Sequence, residues 1–456
     1  MKASRLVRLA ATVALTLTAA LTTVAAPAAS ADGVPDLSTR EAIEAYLISI
    51  GVDPADAVWQ EGRRNYAGPR CPGAEWNCVA ATTPIVQIAN AGGFNLFACG
   101  GLDCVVVQVA LNGGQNGSAC DRGDNQSNSQ VQVCDITQVN GGDNPNSTNA
   151  AAIAQNIQQN GGSTQKARQV ARIRQENTLG KNISTINQVI GQSQNARGGT
   201  TIMQSQEAHQ GATVNQGTTE GGNVSNVTQR QDQSQRASRV ATLLTQEQNA
   251  ALGTDFNLLL CDDPDDLMFD QDKNQCADVD QVSVSGTLKS NLRQLINETQ
   301  SASGSPSVTQ VQGTAPTTGG QNGTVDHLSS GLAANVADED MFQSQTAAGA
   351  TTLSQTKFTG DPRCCQTQGT NTGDTSSIDQ TTNQFASDPD ALQNATLSSH
   401  CVTTGNCDVM QSSTINGVTN TEECTGSVCE ETLTCTQAGG EGGCSTTEPS
   451  PGPDLT

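Results

Sequence analysis

Aromatic side chains are scarce in this sequence, whose 456 residues include seven Phe, two Trp and two Tyr. Asn, Gln, Gly, Ser and Thr are abundant instead. Aromatic rings supply much of the buried area of an ordinary core, so a conventional core cannot be built over this length. The composition therefore predicts either a partly polar interior or a chain that is disordered over much of its length.

Positive charge is also scarce, because 22 Lys and Arg stand against 45 Asp and Glu, for a formal net charge of -23. Such an excess of negative charge repels nucleic acid and anionic lipid, so no nucleic-acid partner is expected. The three histidines are His209, His327 and His400, and no Gly-x-Ser-x-Gly or His-Glu-x-x-His motif accompanies them. Neither an enzyme nor a cofactor is predicted. A carboxylate pair assembled between strands keeps a β-helical polysaccharide-active enzyme open as a third hypothesis.

Long apolar runs are missing after the first 31 residues, so the mature chain has no predicted transmembrane segment. Residues 1–31 combine three basic residues, an apolar run from Leu9 to Val24 and the small residues Ala29-Ser30-Ala31. This pattern is typical of a secretory signal peptide cleaved before Asp32. The sequence therefore predicts a secreted, extracellular protein, either released or held at the cell surface by non-covalent contacts.

Sixteen cysteines, an even number, indicate disulfides in an exported chain. They fall in close pairs that suggest local bridges, although spacing alone does not determine connectivity. Zinc is the alternative, but no Cys-x2-Cys pair supports it and histidine is rare, so no metal site is predicted here. The candidate pairs are Cys71/Cys78, Cys99/Cys104, Cys120/Cys134, Cys261/Cys276, Cys401/Cys407, Cys424/Cys429 and Cys435/Cys444, and Cys364 and Cys365 are adjacent.

The most informative pattern is an internal repeat of glutamine at a spacing of 41 residues. The register holds without a gap between 165–205 and 206–246. Asn182 returns as Asn223 and Gly180 as Gly221. The glutamines that return are Gln165, Gln169, Gln175, Gln188, Gln192 and Gln194, as Gln206, Gln210, Gln216, Gln229, Gln233 and Gln235.

A period of two predicts that the repeat is built of strands, since successive strand residues point to opposite faces. In 202–216 the even positions are Gln, Ala, Ile or Val, whereas the odd positions carry the charged residues Glu207 and His209. Residues 165–176 and 229–236 sort in the same way. A basic amphipathic helix is the alternative for Lys166–Arg174, but the flanking glycine turns favour strands.

Stacked units of this kind predict an all-β Gln-ladder β-solenoid with about 41 residues per repeat. Inside it, each carboxamide can donate to the Gln one unit away, so buried amides are satisfied only where they recur. Ile173, Ile186, Ile190, Ile202 and Val214 would supply apolar burial between the ladders. The predicted structural ladder consists of Gln165, Gln169, Gln175, Gln188, Gln192, Gln206, Gln210, Gln216, Gln229 and Gln233.

The repeat continues in degenerate form on both sides. Upstream, Gln132–Gln138 matches Gln169–Gln175, and Asn149–Gln159 matches Asn182–Gln192. Short strands with Gln87 and Gln108 precede them. Downstream, Gln345–Gln355 is predicted to repeat the first strand and Asp374–Gln384 the second.

The N-terminal part of the mature chain differs from the repeats. Ser38-Thr-Arg-Glu41 fits a capping box, and Ile43, Tyr46, Leu47 and Ile50 form a helical stripe that Gly51 ends. We expect a small helical cap here and a Cys-rich region at the other end. The predicted boundaries are 32–80 for the cap, 81–260 for solenoid repeats, 261–335 for an acidic disulfide loop with degenerate repeats, 336–400 for further repeats, 401–444 for the Cys-rich region and 445–456 for a disordered tail.

Between Cys261 and Cys276 the chain carries six Asp, and Asp270, Asp272 and Asn274 resemble the start of a calcium loop. Gln275 stands where such a loop needs Gly, and Gln281 where it needs a bidentate Glu. A solvated acidic loop is therefore the preferred interpretation, with calcium as the alternative.

Gln210-x5-Gln216-Gly217 followed by Asn223-x5-Gln229 resembles the curlin repeat of secreted bacterial amyloids. Asn182-x5-Gln188, Asn149-x5-Gln155 and Asp374-x5-Gln380 carry the second half of the pattern. The resemblance implies a strand-turn-strand unit and extracellular fibres that build biofilm matrix and adhere to surfaces. The Ala-rich signal resembles those of secreted proteins from high-GC Gram-positive bacteria.

These patterns predict a structural or surface protein of the cell envelope or extracellular matrix, with itself as a partner in a curlin-like assembly. The alternative is a monomeric adhesion or binding module for a glycan or a surface protein. Competition by soluble cell-wall polymer would separate the two.

Overall fold

The computed structural model describes residues 37–80, 83–100, 103–122, 129–142, 144–248, 275–303, 308–312, 321–329, 335–348, 352–359, 365–368, 375–386, 392–438 and 441–447. This part of the chain is nearly all β, with one α-helix and a large, mainly parallel sheet. The predicted signal peptide and calcium candidates lie outside the described residues, as do residues 448–456 of the predicted disordered tail. Residues 445–447 were also assigned to that tail, and this is wrong because they belong to a strand.

The helix α1 spans Arg40–Ser49. The strands are β1 Val58–Ala67, β2 Asn77–Val79, β3 Ile85–Gly100, β4 Cys104–Ala110, β5 Gln115–Arg122, β6 Ser129–Asn140, β7 Thr148–Asn160, β8 Thr164–Asn177, β9 Lys181–Gln248, β10 Gln275–Ser303, β11 Val308–Gln312, β12 Gln321–Ser329, β13 Asn335–Ala348, β14 Thr352–Thr359, β15 Cys365–Gln368, β16 Thr375–Ala386, β17 Leu392–Ile415, β18 Val418–Ala438 and β19 Glu441–Thr447.

Parallel pairing arranges these strands in three stacks, and successive segments of the chain alternate between them. The first stack contains 58–62, 85–89, 104–110, 129–140, 164–177, 205–218, 275–283, 321–329, 365–368 and 400–402. The second contains 64–67, 94–100, 115–122, 148–160, 181–193, 222–238, 285–303, 335–348, 375–386 and 406–415. The third contains 244–248, 308–312, 352–359 and 392–397.

Aliphatic side chains stack between the first two stacks because each strand turns every second residue inward. Ile85, Val106, Ile136, Ile173 and Val214 occupy successive register positions, and all are buried. Full burial of one such side chain contributes about 1.5–3 kcal/mol. The interior is therefore apolar along some columns of residues, and columns of polar residues lie beside them.

The spacing between register partners changes along the first stack. Gln87 and Gln108 are 21 residues apart, Gln175 and Gln216 are 41 apart, and Gln216 and Gln281 are 65 apart. The 41-residue spacing read from the sequence thus describes one part of the stack, and the connections between strands absorb the differences.

The upstream alignment agrees with the register, which pairs Gln132 with Gln169 and Asn149 with Asn182. The assignment of Gln345 to the first strand of the repeat is wrong. Gln345 pairs with Glu298 and Gln384, which places it in the second stack. The sequence pattern misled here because Gln and Thr alternate similarly in strands of both stacks.

Helix α1 lies against the outer side of the first strands rather than over the end of the sheet. Its buried residues Ile43, Tyr46 and Leu47 pack with Val86 and Val107, which face outward from β3 and β4. The helix also begins one residue later than the capping box predicts. The N-cap is Thr39 rather than Ser38, because the Thr39 side chain accepts the hydrogen bond from the Ala42 amide. In the part of the chain described, no helix is long and apolar enough to cross a membrane.

The N-terminal region expected to be a helical cap also supplies strands. β1 pairs with β3 on one side, and β2 pairs with residues 65–67 of β1 on the other. At the opposite end, the parallel pattern stops: β18 runs antiparallel along β17, and β19 runs antiparallel along 432–438 of β18. Residues 401–415 of the expected Cys-rich region still belong to the parallel strand β17.

A column of glycines marks the corner between the first and second stacks. Gly221 has φ +144° and Gly286 has φ +153°. A Cβ at Gly221 would collide with the carbonyl oxygen of Gly180, and a Cβ at Gly286 with that of Gly221. The close approach of backbone to backbone at this corner therefore requires glycine.

Gly221→Ala is expected to destabilise the fold by about 3 kcal/mol or more, since it combines a backbone collision with an unfavourable φ. Gly443→Ala is the control, because nothing lies within 4 Å of the added Cβ there, and its effect should stay within about 0.5 kcal/mol. Denaturant unfolding of both variants measures the difference. Equal stability of the two variants would contradict the packed corner.

Candidate functional site

The most extended polar feature of the interior is a ladder of seven glutamine side chains along the first stack. Each Nε2 donates to the Oε1 of the preceding Gln, at 2.7–2.8 Å. All seven residues are buried. The members, in order, are Gln60, Gln87, Gln108, Gln138, Gln175, Gln216 and Gln281.

Each carboxamide also bonds across the interior. Gln175 Nε2 donates to the carbonyl of Ile183 at 3.0 Å, and Gln216 Nε2 to that of Val224 at 3.2 Å. The second N–H of the amide group is therefore used on the facing strand. A Gln in this position ties the preceding strand of its own stack to a strand of the neighbouring stack, which explains why an amide is tolerated in a buried position.

An asparagine ladder runs parallel to the first one in the second stack. Asn65 donates to Asn95 at 2.8 Å, and the series continues with bonds of 2.9–3.0 Å as far as Asn223. Leu288 occupies the next register position, where this ladder ends. At the other end, Asn77 Nδ2 donates to Asn65 Oδ1 at 3.2 Å. The buried members are Asn65, Asn95, Asn116, Asn149, Asn182 and Asn223.

Shorter glutamine ladders fill other inward columns, with side-chain bonds of 2.7–3.1 Å. The ten glutamines proposed from the sequence are all buried, and each bonds at least one other glutamine in these or the first ladder. The short ladders are Gln132–Gln169–Gln210, Gln165–Gln206, Gln155–Gln188–Gln229–Gln294, Gln159–Gln192–Gln233, Gln194–Gln235–Gln300, Gln204–Gln246–Gln310 and Gln380–Gln411.

Sequence reasoning missed Gln60 and most of the asparagine ladder. Gln60 lies in Trp59-Gln-Glu-Gly62, which shows no alternation. Asn65, Asn95 and Asn116 sit in segments with different connection lengths, so no constant period exposes them.

Six of the seven predicted cysteine pairs are disulfide-bonded, and this confirms local bridging. Cys261 lies outside the described residues, as does Cys364. Within the described part of the chain, Cys99, Cys104 and Cys120 form the one group of potential metal ligands that lie within 4.8 Å of one another, and all three are in disulfides. The bonded pairs are Cys71–Cys78, Cys99–Cys104, Cys120–Cys134, Cys401–Cys407, Cys424–Cys429 and Cys435–Cys444.

A charged cluster lies on the outward side of the first stack. Glu207 Oε1 is 3.0 Å from His209 Nε2, and Glu207 Oε2 is 3.2 Å from Lys166 Nζ. The period-two pattern placed Glu207 and His209 on the outer, charged side of the strand, and they lie there, but both are buried. Alternation tells which side of the sheet a residue faces, but not what packs against it.

Burial raises the pKa of Glu207, but the hydrogen bonds and charges of His209 and Lys166 outweigh it, so the pKa is lowered overall. On the same face, burial and the neighbouring Arg172 lower the pKa of Arg168 to about 10.

A second polar network joins helix α1 to the sheet. The Tyr46 hydroxyl is 2.8 Å from Thr137 Oγ1 and accepts a bond of 3.2 Å from Arg174 Nη1. The same nitrogen donates to Asp135 Oδ1 at 3.0 Å. Burial raises the pKa of Tyr46, and the Asp135 carboxylate adds to the effect. The network fixes the helix on β6 and β8.

An open groove of about 460 Å³ lies on the outward side of the second stack. Its floor consists of small residues such as Gly117, Ala119 and Ala150, and Tyr66 and Ile183 border it. Tyr66 also makes an edge contact with Trp76 at 6.5 Å. The residues that line the groove include no charged side chain.

Comparison with protein-family models, with curated proteins and with solved structures finds no match for this chain.

Gln229→Leu is expected to destabilise the protein by about 2–5 kcal/mol, because Gln188 Oε1 and Gln294 Nε2 each lose a buried partner. Gln115→Leu is the matched control, since Gln115 is exposed on β5 and should shift stability by less than about 0.5 kcal/mol. Chemical denaturation followed by circular dichroism measures both. A Gln229→Leu variant as stable as the control would rule out an energetic role for the ladder.

Glu207 makes stability depend on acid pH. Its lowered pKa means that the native state favours the carboxylate, so this contribution is present above the unfolded pKa near 4.5 and is lost as the pH falls through the lower folded value. Glu207→Gln should therefore lose less stability than the wild type between pH 6 and pH 3. Unfolding free energies across that range provide the measurement, and identical slopes would contradict the assignment.

Proposed function

We propose that this chain is an exported β-solenoid that serves as a structural or surface protein of the cell envelope or extracellular matrix. The observation that carries the proposal is the continuous ladder from Gln60 to Gln281. Its side-chain hydrogen bonds link seven strands of one stack, and the backbone hydrogen bonds of the sheet link the same strands independently.

Such a ladder suits a load-bearing scaffold. Each inner amide both donates to one neighbour and accepts from the next, so a local distortion leaves two buried groups unsatisfied, at a cost of about 1–3 kcal/mol each. Parallel strands held this way resist sliding, because a shift of one residue would turn the amides outward. This arrangement of bonded amides favours a stiff rod rather than a deformable binding pocket.

Export is supported by the bridges and by the sequence. Six disulfides are typical of proteins from an oxidising compartment, and residues 1–31 carry the features of a signal peptide. The resemblance to curlin repeats fits the same location and suggests an extracellular matrix role.

The strands at the two ends of the sheet favour a scaffold that consists of one chain, with no second copy added at either end. β2 covers part of β1, and the antiparallel strands β18 and β19 interrupt parallel stacking at the other end. Antiparallel terminal strands do not offer the same inward columns to another copy. We therefore favour a monomeric rod over an open-ended curlin-like fibre. A monomer is also compatible with the alternative function, a binding module for a glycan or a surface protein.

Sedimentation velocity of the oxidised protein over a hundredfold range of concentration should give one species of monomer mass. Cell fractionation should place the chain in the envelope or matrix fraction. A Cys435→Ser variant that ends at Ala438 lacks both β19 and the Cys435–Cys444 bridge. It should associate at high concentration because it exposes the edge of residues 432–438 of β18.

Wild-type fibres seen by electron microscopy would contradict the self-completed rod and favour curlin-like assembly. Recovery of the protein from the cytoplasm alone would contradict the envelope or matrix role.

A further inference from the structure

One outward face of the second stack carries an excess of positive charge in a strongly acidic protein. We call it the basic face, and it is the outward side of residues 181–197, 222–238 and 287–303. These are three neighbouring strand segments of the stack, and we call each such segment a level. Each level contributes two cations, and all six are exposed. They are Lys181 and Arg197, Arg230 and Arg236, and Lys289 and Arg293.

A single acidic residue, Asp232, shares this outward face. Arg230 Nε donates to Asp232 Oδ2 at 2.6 Å, and Asn297 Nδ2 donates to Oδ1 at 2.7 Å. Its charge is therefore already engaged within the face. The whole chain has a net charge of -23, so this local excess has the sign opposite to the net charge of the chain and concentrates a positive field on this face.

The neighbouring levels mark the limits of the face. β7, on the N-terminal side, carries no charged residue at all. On the C-terminal side, β13 places Asp338 and Asp340 at the register positions opposite Asn291 and Arg293. The cations are thus confined to three levels, which span about 10 Å across the strands at a spacing of about 4.8 Å.

Along the strands the cations are widely spaced. Arg230 and Arg236 are six residues apart, which corresponds to about 20 Å of strand. Arg293 lies opposite Thr228, so it is a diagonal neighbour of Arg230. A ligand that contacts several of these cations must be long, and its charges must be separated by uncharged units.

The side chains between the cations indicate what those units are. Outward positions here are mostly Asn, Ser and Thr, for example Asn187, Thr228 and Asn291. Amides and hydroxyls bond sugar or polyol hydroxyls. No aromatic residue faces outward on these three levels, whereas single-stranded nucleic acid is usually held by stacking its bases on aromatic rings.

We propose that the basic face binds a linear phosphodiester polymer with polyhydroxylated repeat units. Lys and Arg contact the phosphates, with Arg suited to bidentate contacts, and the intervening Asn, Ser and Thr contact the hydroxyls. The inference rests on one part of the proposed function, the extracellular location, because the protein would encounter such a polymer there. It deepens that function by naming an attachment surface.

The test measures binding of fluorescently labelled poly(glycerol phosphate) to the oxidised full-length protein by anisotropy, at several salt concentrations. The variant is Arg230→Gln/Arg236→Gln, and Arg63→Gln/Arg70→Gln is the control with the same change of charge at exposed positions away from the face. We expect affinity to fall about tenfold or more in the first variant and less than about twofold in the control. The slope of log K against log salt should fall by about two in the first variant alone.

Equal weakening of both variants would overturn the proposal, as would the absence of wild-type binding at low salt. Tighter binding of single-stranded DNA of equal charge would show that the face does not select a polyol phosphate. Thermal unfolding and sedimentation of the same samples separate this result from the proposed scaffold: a stable monomeric rod that does not bind the polymer overturns the inference and leaves the scaffold intact.

Discussion

A buried carboxamide must find both a donor and an acceptor, and the architecture of this protein depends on that requirement. Gln138, for example, donates to Gln108, accepts from Gln175 and reaches the carbonyl of Ala150 on the facing strand. Satisfaction of this kind is possible only if an amide recurs at the same inward position on each level. Register is therefore specified by polar groups, and the aliphatic columns beside them add the burial that a protein poor in aromatic residues would otherwise lack.

The same requirement explains why the inward positions are uniform while the connections are not. Partners along the first ladder are separated by 21 residues at one point and by 65 at another. A longer connection alters neither the donor nor the acceptor that meets at the next level, and the entropy of a longer loop grows only slowly with its length. Outward residues do not share this requirement for a recurring amide, which is why charge and groove shape differ from one strand to the next.

The sequence predicted the strands, the local bridges and the inward glutamines of 165–235, because alternation and a constant period coincide there. It did not predict Gln60, the asparagine ladder or the stack to which Gln345 belongs, since each depends on which connection length the chain adopts. Glu207 and His209 show another limit: alternation placed them outside the sheet, but their burial and their contacts with Lys166 depend on packing that no single strand encodes. Tyr46 is a similar case, since its partners Thr137 and Arg174 are 91 and 128 residues away.

The bridges have a mechanical consequence. Each of the six disulfides joins cysteines no more than 14 residues apart. Where these bridges lie, a chain pulled from its two ends would keep only small closed loops, and the described residues between the bridges, at about 3.3–3.6 Å per residue, would be free to extend. These six links therefore leave the resistance of the described strands to such a pull to non-covalent contacts, among them the ladder amides, which bond from one strand to the next.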